Sequence, residues 1–148
     1  MRLRQGFTLI EMLVVVVIAA IVVGTALPSM GRAMASNDVQ RSAGVIAATL
    51  QNAHSLAARR RVPVRLVIDT TNKIMSVRNY AGTDTSFVRM TFGANGEYPL
   101  QSMTASSLNL VIYPNGLAAD TLSVTVRAES KSRRIRMTRA GQIRVIAP

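Results

Sequence analysis

The distribution of apolar and polar positions changes three times along the chain. Residues 7 to 28 are almost uninterruptedly apolar, with Glu11 as the single charge. Beyond Pro28 and Gly31 the apolar positions Val39, Ala43, Ile46, Leu50, Ala53 and Ala57 step by four, three, four, three and four, the stripe of an amphipathic helix. Asn37 and Asp38 are candidate caps for an interruption near Ser36, and the helix must end before Pro63. From residue 62 the period falls to two, which predicts strands at 62–68, 73–80, 87–92, 108–113, 122–127, 133–138 and 142–146. The first two form a hairpin about Asp69-Thr70-Thr71-Asn72, while 94–107, rich in Ser, Thr and Gly, reads as the least structured stretch. A long helix followed by about seven short strands defines an α+β chain, the helix laid on antiparallel sheet.

The amino terminus reads as an address and an anchor. Met1 to Gly6 is a short basic leader carrying Arg2 and Arg4. The apolar run continues past Ala19-Ala20 to Leu27, so it lacks the small-residue cleavage site of a secretory signal and would stay with the mature protein. Its 22 residues make about 33 Å of helix, enough for a hydrocarbon core of roughly 30 Å. The positive-inside rule then places the amino end in the cytoplasm and the remaining chain outside it. Glu11 is costly inside such a helix unless it lies at headgroup depth or has a partner, and a free α-amino group at Phe7, one turn away, would be one.

Gly6-Phe7-Thr8-Leu9-Ile10-Glu11 followed by Met12-Leu13-Val14-Val15 resembles the class III signal of type IV pilins and type II secretion pseudopilins. The resemblance implies that a prepilin peptidase cuts between Gly6 and Phe7 and methylates the new amino group of Phe7. It further implies that Glu11 pairs with the amino terminus of a neighbouring subunit, and that Pro28 stands where many pilins carry a helix-kinking proline. The expected organisation is a leader at 1–6, a transmembrane helix at 7–28, its continuation into the periplasm at 29–61 and a β-rich domain at 62–148. The element order resembles the GspH/FimT family of minor pilins and pseudopilins. Tyr113-Pro114-Asn115-Gly116 matches its aromatic-Pro-x-Gly turn, and Arg134 to Thr138 through Gly141 to Val145 matches its closing hairpin.

Charge sharpens the functional question. The chain carries 18 basic against 7 acidic residues, a net +11, and residues 29 to 148 hold 16 of the basic and 6 of the acidic side chains. Such an excess suits an anionic partner. In the closing hairpin Ile135 and Met137 alternate with Arg134, Arg136 and Thr138, while Ile143 and Val145 flank Arg144, which gives one apolar and one cationic face. Arg139 sits at the turn, with Lys131 and Arg133 before it. A ribbon of this kind can run along a phosphate backbone, arginine gripping phosphate oxygens bidentately. The alternative is a solvated strand face. The FimT-like branch of the family is associated with DNA uptake through a Gly-Arg-x-Arg element. Here only Gly141 and Arg144 match it, with Gln142 in place of the first arginine, so Arg134, Arg136 and Arg139 would have to compensate. Without stacking aromatics in the hairpin, contact with the backbone of double-stranded DNA is favoured over base readout.

Arg59-Arg60-Arg61 has a structural explanation as cations at a helix carboxyl end. His54, the only histidine, reads as a surface or packing residue. No cysteine, no phosphate-cradling glycine loop and no Ser/His/Asp grouping are present, which argues against an enzyme and against any cofactor or metal. Two alternative expectations follow. One is a FimT-like minor pilin of the inner membrane and pilus, with pilins, prepilin peptidase and DNA as partners. The other is a GspH-like pseudopilin of a secretion system with a purely structural role.

Overall fold

The computed structural model describes residues 7–82, 86–93 and 96–147, with side chains 25–30 and 32 outside the description. Gly6 and the leader therefore lie outside the described residues. One helix, α1 (Leu9–Arg60), precedes eight strands: β1 (Val64–Asp69), β2 (Ile74–Asn79), β3 (Ser86–Thr91), β4 (Ser102–Ala105), β5 (Asn109–Ile112), β6 (Leu122–Ala128), β7 (Lys131–Met137) and β8 (Ile143–Ile146). The chain divides into two compact units, residues 1–34 and 35–148.

In the first unit, Thr8 and Glu11 open α1 as a reciprocal cap. The Glu11 N–H donates to Thr8 Oγ1 at 3.3 Å and the Thr8 N–H to Glu11 Oε2 at 3.5 Å. Thr8-x-x-Glu11 is thus a capping box, which satisfies amide groups that a helix start leaves without partners. Every described side chain from Phe7 to Val23 is exposed, the large apolar ones by between 48% and 85%. Among the described residues no helix is long and apolar enough to cross a membrane. The fully described apolar stretch, 9 to 24, gives 16 residues or about 24 Å of helix, and the run to Leu27 is described there by backbone alone. Helical backbone continues through Pro28 and through Ser36, so no cap forms at Asn37 or Asp38.

In the second unit the predicted stripe is the buried face of α1: Val39, Ala43, Ile46, Leu50, Ala53 and Ala57 are all 0–1% exposed. Ser42 and Thr49 extend that face. Their hydroxyls donate to the Asp38 and Val45 carbonyls one turn back, so two polar groups enter the core already satisfied. The helix exits through Arg61, whose φ of 56° is a conformation usually taken by glycine, and Pro63 prevents its return. Arg60 lies 4.2 Å over the Phe87 ring, so the arginine run does more than complement the helix dipole.

The strands form two antiparallel four-stranded sheets, β3-β2-β1-β5 and β4-β6-β7-β8, whose inner residues make one core with the stripe of α1. The β1–β2 connection is the predicted one: the Thr71 and Asn72 N–H groups donate to Asp69 Oδ1 at 3.0 and 2.9 Å. These bonds, led by that from Asn72, hold the Asp69 carboxyl below the usual carboxylate range. Two expectations need correction. Among the described residues there are eight strands, because 102–105 pairs with β6 from Ser102↔Arg127 to Ala105↔Val124. Its sequence, Ser-Met-Thr-Ala, hides that role, with Met103 as its one large apolar residue. The apolar side of the closing hairpin is also only half covered. Ile135 and Met137 are fully buried, whereas Val145 on the edge strand β8 remains 43% exposed although it faces Ile135.

Candidate anion-binding face and amino-terminal motif

Strand pairing assembles a cationic surface on the outer side of the second sheet. β7 and β8 register as Arg134↔Ile146 and Arg136↔Arg144, and β6 and β7 as Thr125↔Arg134 and Ser123↔Arg136. By alternation these residues share one face, and Arg127 of β6 joins them, opposite Ser132. Arg127, Arg134, Arg136 and Arg144 are all exposed. Between them stand Ser123, Thr125 and, from β4, Ser102 and Thr104; the four strands contribute no acidic side chain. Arg136 directly opposite Arg144 is a like-charge cross-strand pair, an arrangement that destabilises a sheet by a few tenths of a kcal/mol or more. An anion lying across the pair would reverse that sign.

Three of the sequence candidates therefore come together and two do not. Arg139 stands in the β7–β8 turn, where its guanidinium reaches Asp120 Oδ1 at 3.3 Å. The Thr121 N–H and then Arg139 hold the Asp120 carboxyl below its usual range. Gly141 has a packing role. Its φ is 78°, and a Cβ built there would stand 2.8 Å from the Gly116 carbonyl oxygen and 3.1 Å from His54 Cε1. Gly116 itself closes the Tyr113 turn by donating to the Tyr113 carbonyl at 3.0 Å, and the Ala118 N–H donates to the Arg139 carbonyl at 2.8 Å. The two turns that carry the family resemblance thus meet at one corner. His54 of α1 lies beneath it, with Nε2 3.3 Å from Met137 Sδ, and burial pushes its pKa down, favouring the neutral ring.

Arg127 joins this cationic face without being a candidate in the sequence. It lies four positions before Lys131 in the chain, and only the β6–β7 register brings it onto the face. Lys131 and Arg133 have the opposite parity and project from the other side of β7.

At the amino terminus, residues 1–27 match the family model described as the prokaryotic N-terminal methylation motif. No curated protein matches the chain. Among solved structures, the type IV minor pilin FimU of Pseudomonas aeruginosa superimposes with a TM-score of 0.62 at 17% identity, over 76% of this chain and 93% of that one. A second crystal form of FimU gives 0.59, again at 17% identity, over 74% and 96%. The minor pseudopilin EpsH from the type 2 secretion system of Vibrio cholerae gives 0.55 at 14% identity, over 75% and 98%. The chain is pilin-like: a long amino-terminal helix on antiparallel sheets, headed by the methylation motif of type IV pilins. Its fold is that of the minor pilin FimU and the minor pseudopilin EpsH.

Proposed function

We propose that this chain is a minor-pilin-type subunit. Prepilin peptidase removes residues 1–6, Phe7 becomes the methylated amino terminus, and the helix holds the protein in the inner membrane with its amino end cytoplasmic and its sheets periplasmic. The subunit then enters a pilus or pseudopilus. The observation that carries this reading is the exposed apolar helical stretch from 9 to 24, headed by the methylation motif. Apolar surface on that scale belongs in a bilayer or against other helices. The Glu11 carboxylate spends one long bond on Thr8 and keeps acceptor capacity for the α-amino group of a neighbouring subunit. Pro28 marks where helix packing in the filament takes over from the bilayer.

The finer part of the proposal is that the arginine face of β6, β7 and β8 binds the backbone of double-stranded DNA, as a FimT-like pilin in natural transformation would. Four arginines and interspersed hydroxyls with no acid among them support it. The EpsH likeness supports the second reading, a pseudopilin in which the same face meets acidic neighbours.

The assembly reading is tested with Glu11→Val. The variant is expected to insert and to be processed normally, while its recovery in sheared filaments falls about tenfold or more, the loss of one charge-assisted pair in a low-dielectric setting. Unimpaired recovery would remove Glu11 from assembly.

A further inference from the structure

The two sides of β7 carry different kinds of positive charge. Arg134 and Arg136 lie on the open outer face, whereas Lys131 and Arg133 share the parity of the core residues Ile135 and Met137. They stand just past the core, paired across the sheet with Ala128 and Val126. There they border a cavity of about 350 Å³ in the second unit. Ser130, in the turn joining β6 to β7, adds a hydroxyl, and Ser36 of α1 borders the cavity beside Val39.

Among the described residues no acidic side chain lines this cavity. The nearest acids along the chain are Glu129 in the turn and Asp38 on α1, and neither pairs with Lys131 or Arg133. Among the described residues none of the five polar side chains, Ser36, Ser130, Lys131, Ser132 and Arg133, makes a hydrogen bond or an ion pair. Two cations two positions apart on one strand face stand roughly 6–7 Å from each other and repel. The hydroxyls of Ser36 and Ser130, free of hydrogen bonds, border the same cavity. A guanidinium fork, an ammonium and two serine hydroxyls bordering one half-open cavity form a donor set for a tetrahedral oxyanion. The volume lies at the lower end of ligand pockets, room for one phosphate with a small substituent rather than a continuous backbone.

We infer that this cavity binds a single phosphate group, held by Arg133 and Lys131 with the serine hydroxyls completing its coordination. The group arrives either as a free or small-ester phosphate or as a phospholipid headgroup. Ser36 follows Leu27, the end of the apolar run, by nine residues in the sequence. The headgroup source rests on the membrane anchoring proposed above. Inorganic phosphate binding does not, and it would survive the failure of that reading.

The experiment is calorimetric titration of the full chain in neutral detergent with inorganic phosphate, glycerol 3-phosphate and monomeric dihexanoyl phosphatidylglycerol. Saturable binding at millimolar or lower concentration is expected for at least one. Affinity should fall about tenfold or more in Lys131→Gln/Arg133→Gln and stay unchanged in Arg89→Gln, an exposed arginine of β3 in the other sheet. Circular dichroism melting checks that both variants fold. Preference for the diester assigns the headgroup source, and preference for the other two assigns a free or small-ester phosphate. Binding of none of the three, equal affinity in Lys131→Gln/Arg133→Gln, or a loss in Arg89→Gln as large as in that variant would overturn the inference.

Discussion

Gly141→Val is expected to destabilise the protein by about 3 kcal/mol or more, lowering its melting temperature by roughly 10–15 °C. Two independent costs add at this position. A β-branched residue is forced to a φ of 78°, and its Cβ would come within 2.8 Å of the Gly116 carbonyl and 3.1 Å of His54. Backbone cannot give way there as the end of a long side chain could, because Gly116 is held in its own turn and Ala118 is bonded to Arg139. Gly82→Ala supplies the control. Its φ of 80° imposes the conformational cost while nothing lies within 4 Å, so about 1 kcal/mol is expected. Chemical denaturation of the two variants separates the terms. Equal small losses would mean that the corner where the two turns meet is not tightly packed.

Replacing Arg134, Arg136 and Arg144 together by Gln is expected to weaken binding to duplex DNA by roughly a hundredfold or more near physiological salt, with the log–log salt slope reduced by up to about 3. The three side chains lie on one exposed face in direct or diagonal register, so one phosphate run can reach all of them. Sequence changes in the DNA should matter little, since backbone contacts carry no base information. Arg139→Gln should have the smaller effect, because its guanidinium is shared with Asp120. Filter binding or fluorescence anisotropy over several salt concentrations makes the measurement. An unchanged slope in the triple variant would place the contacts elsewhere, and absence of binding by the wild type would leave the structural reading alone.

How much could be read before the structure depended on whether a signal was local. The stripe from Val39 to Ala57 was fully legible, because burial on one helix face writes itself as a three-four spacing. So were the seven strands with two or more large apolar residues. β4 was not, since a four-residue edge strand needs only Met103 on the core side. Glu11 was read as an electrostatic anomaly, although Thr8 three residues earlier gave the capping signature. The cationic site was partly legible. Alternation gave Arg134, Arg136 and Arg144, and counting parity on β7 would have set Lys131 and Arg133 apart from them. What sequence could not supply were long-range partners: Arg127 arrives through the register of β6, and Arg139 is drawn away by Asp120, 19 residues distant.

The most direct test of the central claim is the mass of the mature amino-terminal peptide from chain expressed with a prepilin peptidase. The account predicts cleavage between Gly6 and Phe7 with an N-methylated Phe7 as the first residue, in membrane and filament fractions alike. A chain that keeps Met1 to Gly6, or begins after the apolar run, would contradict it.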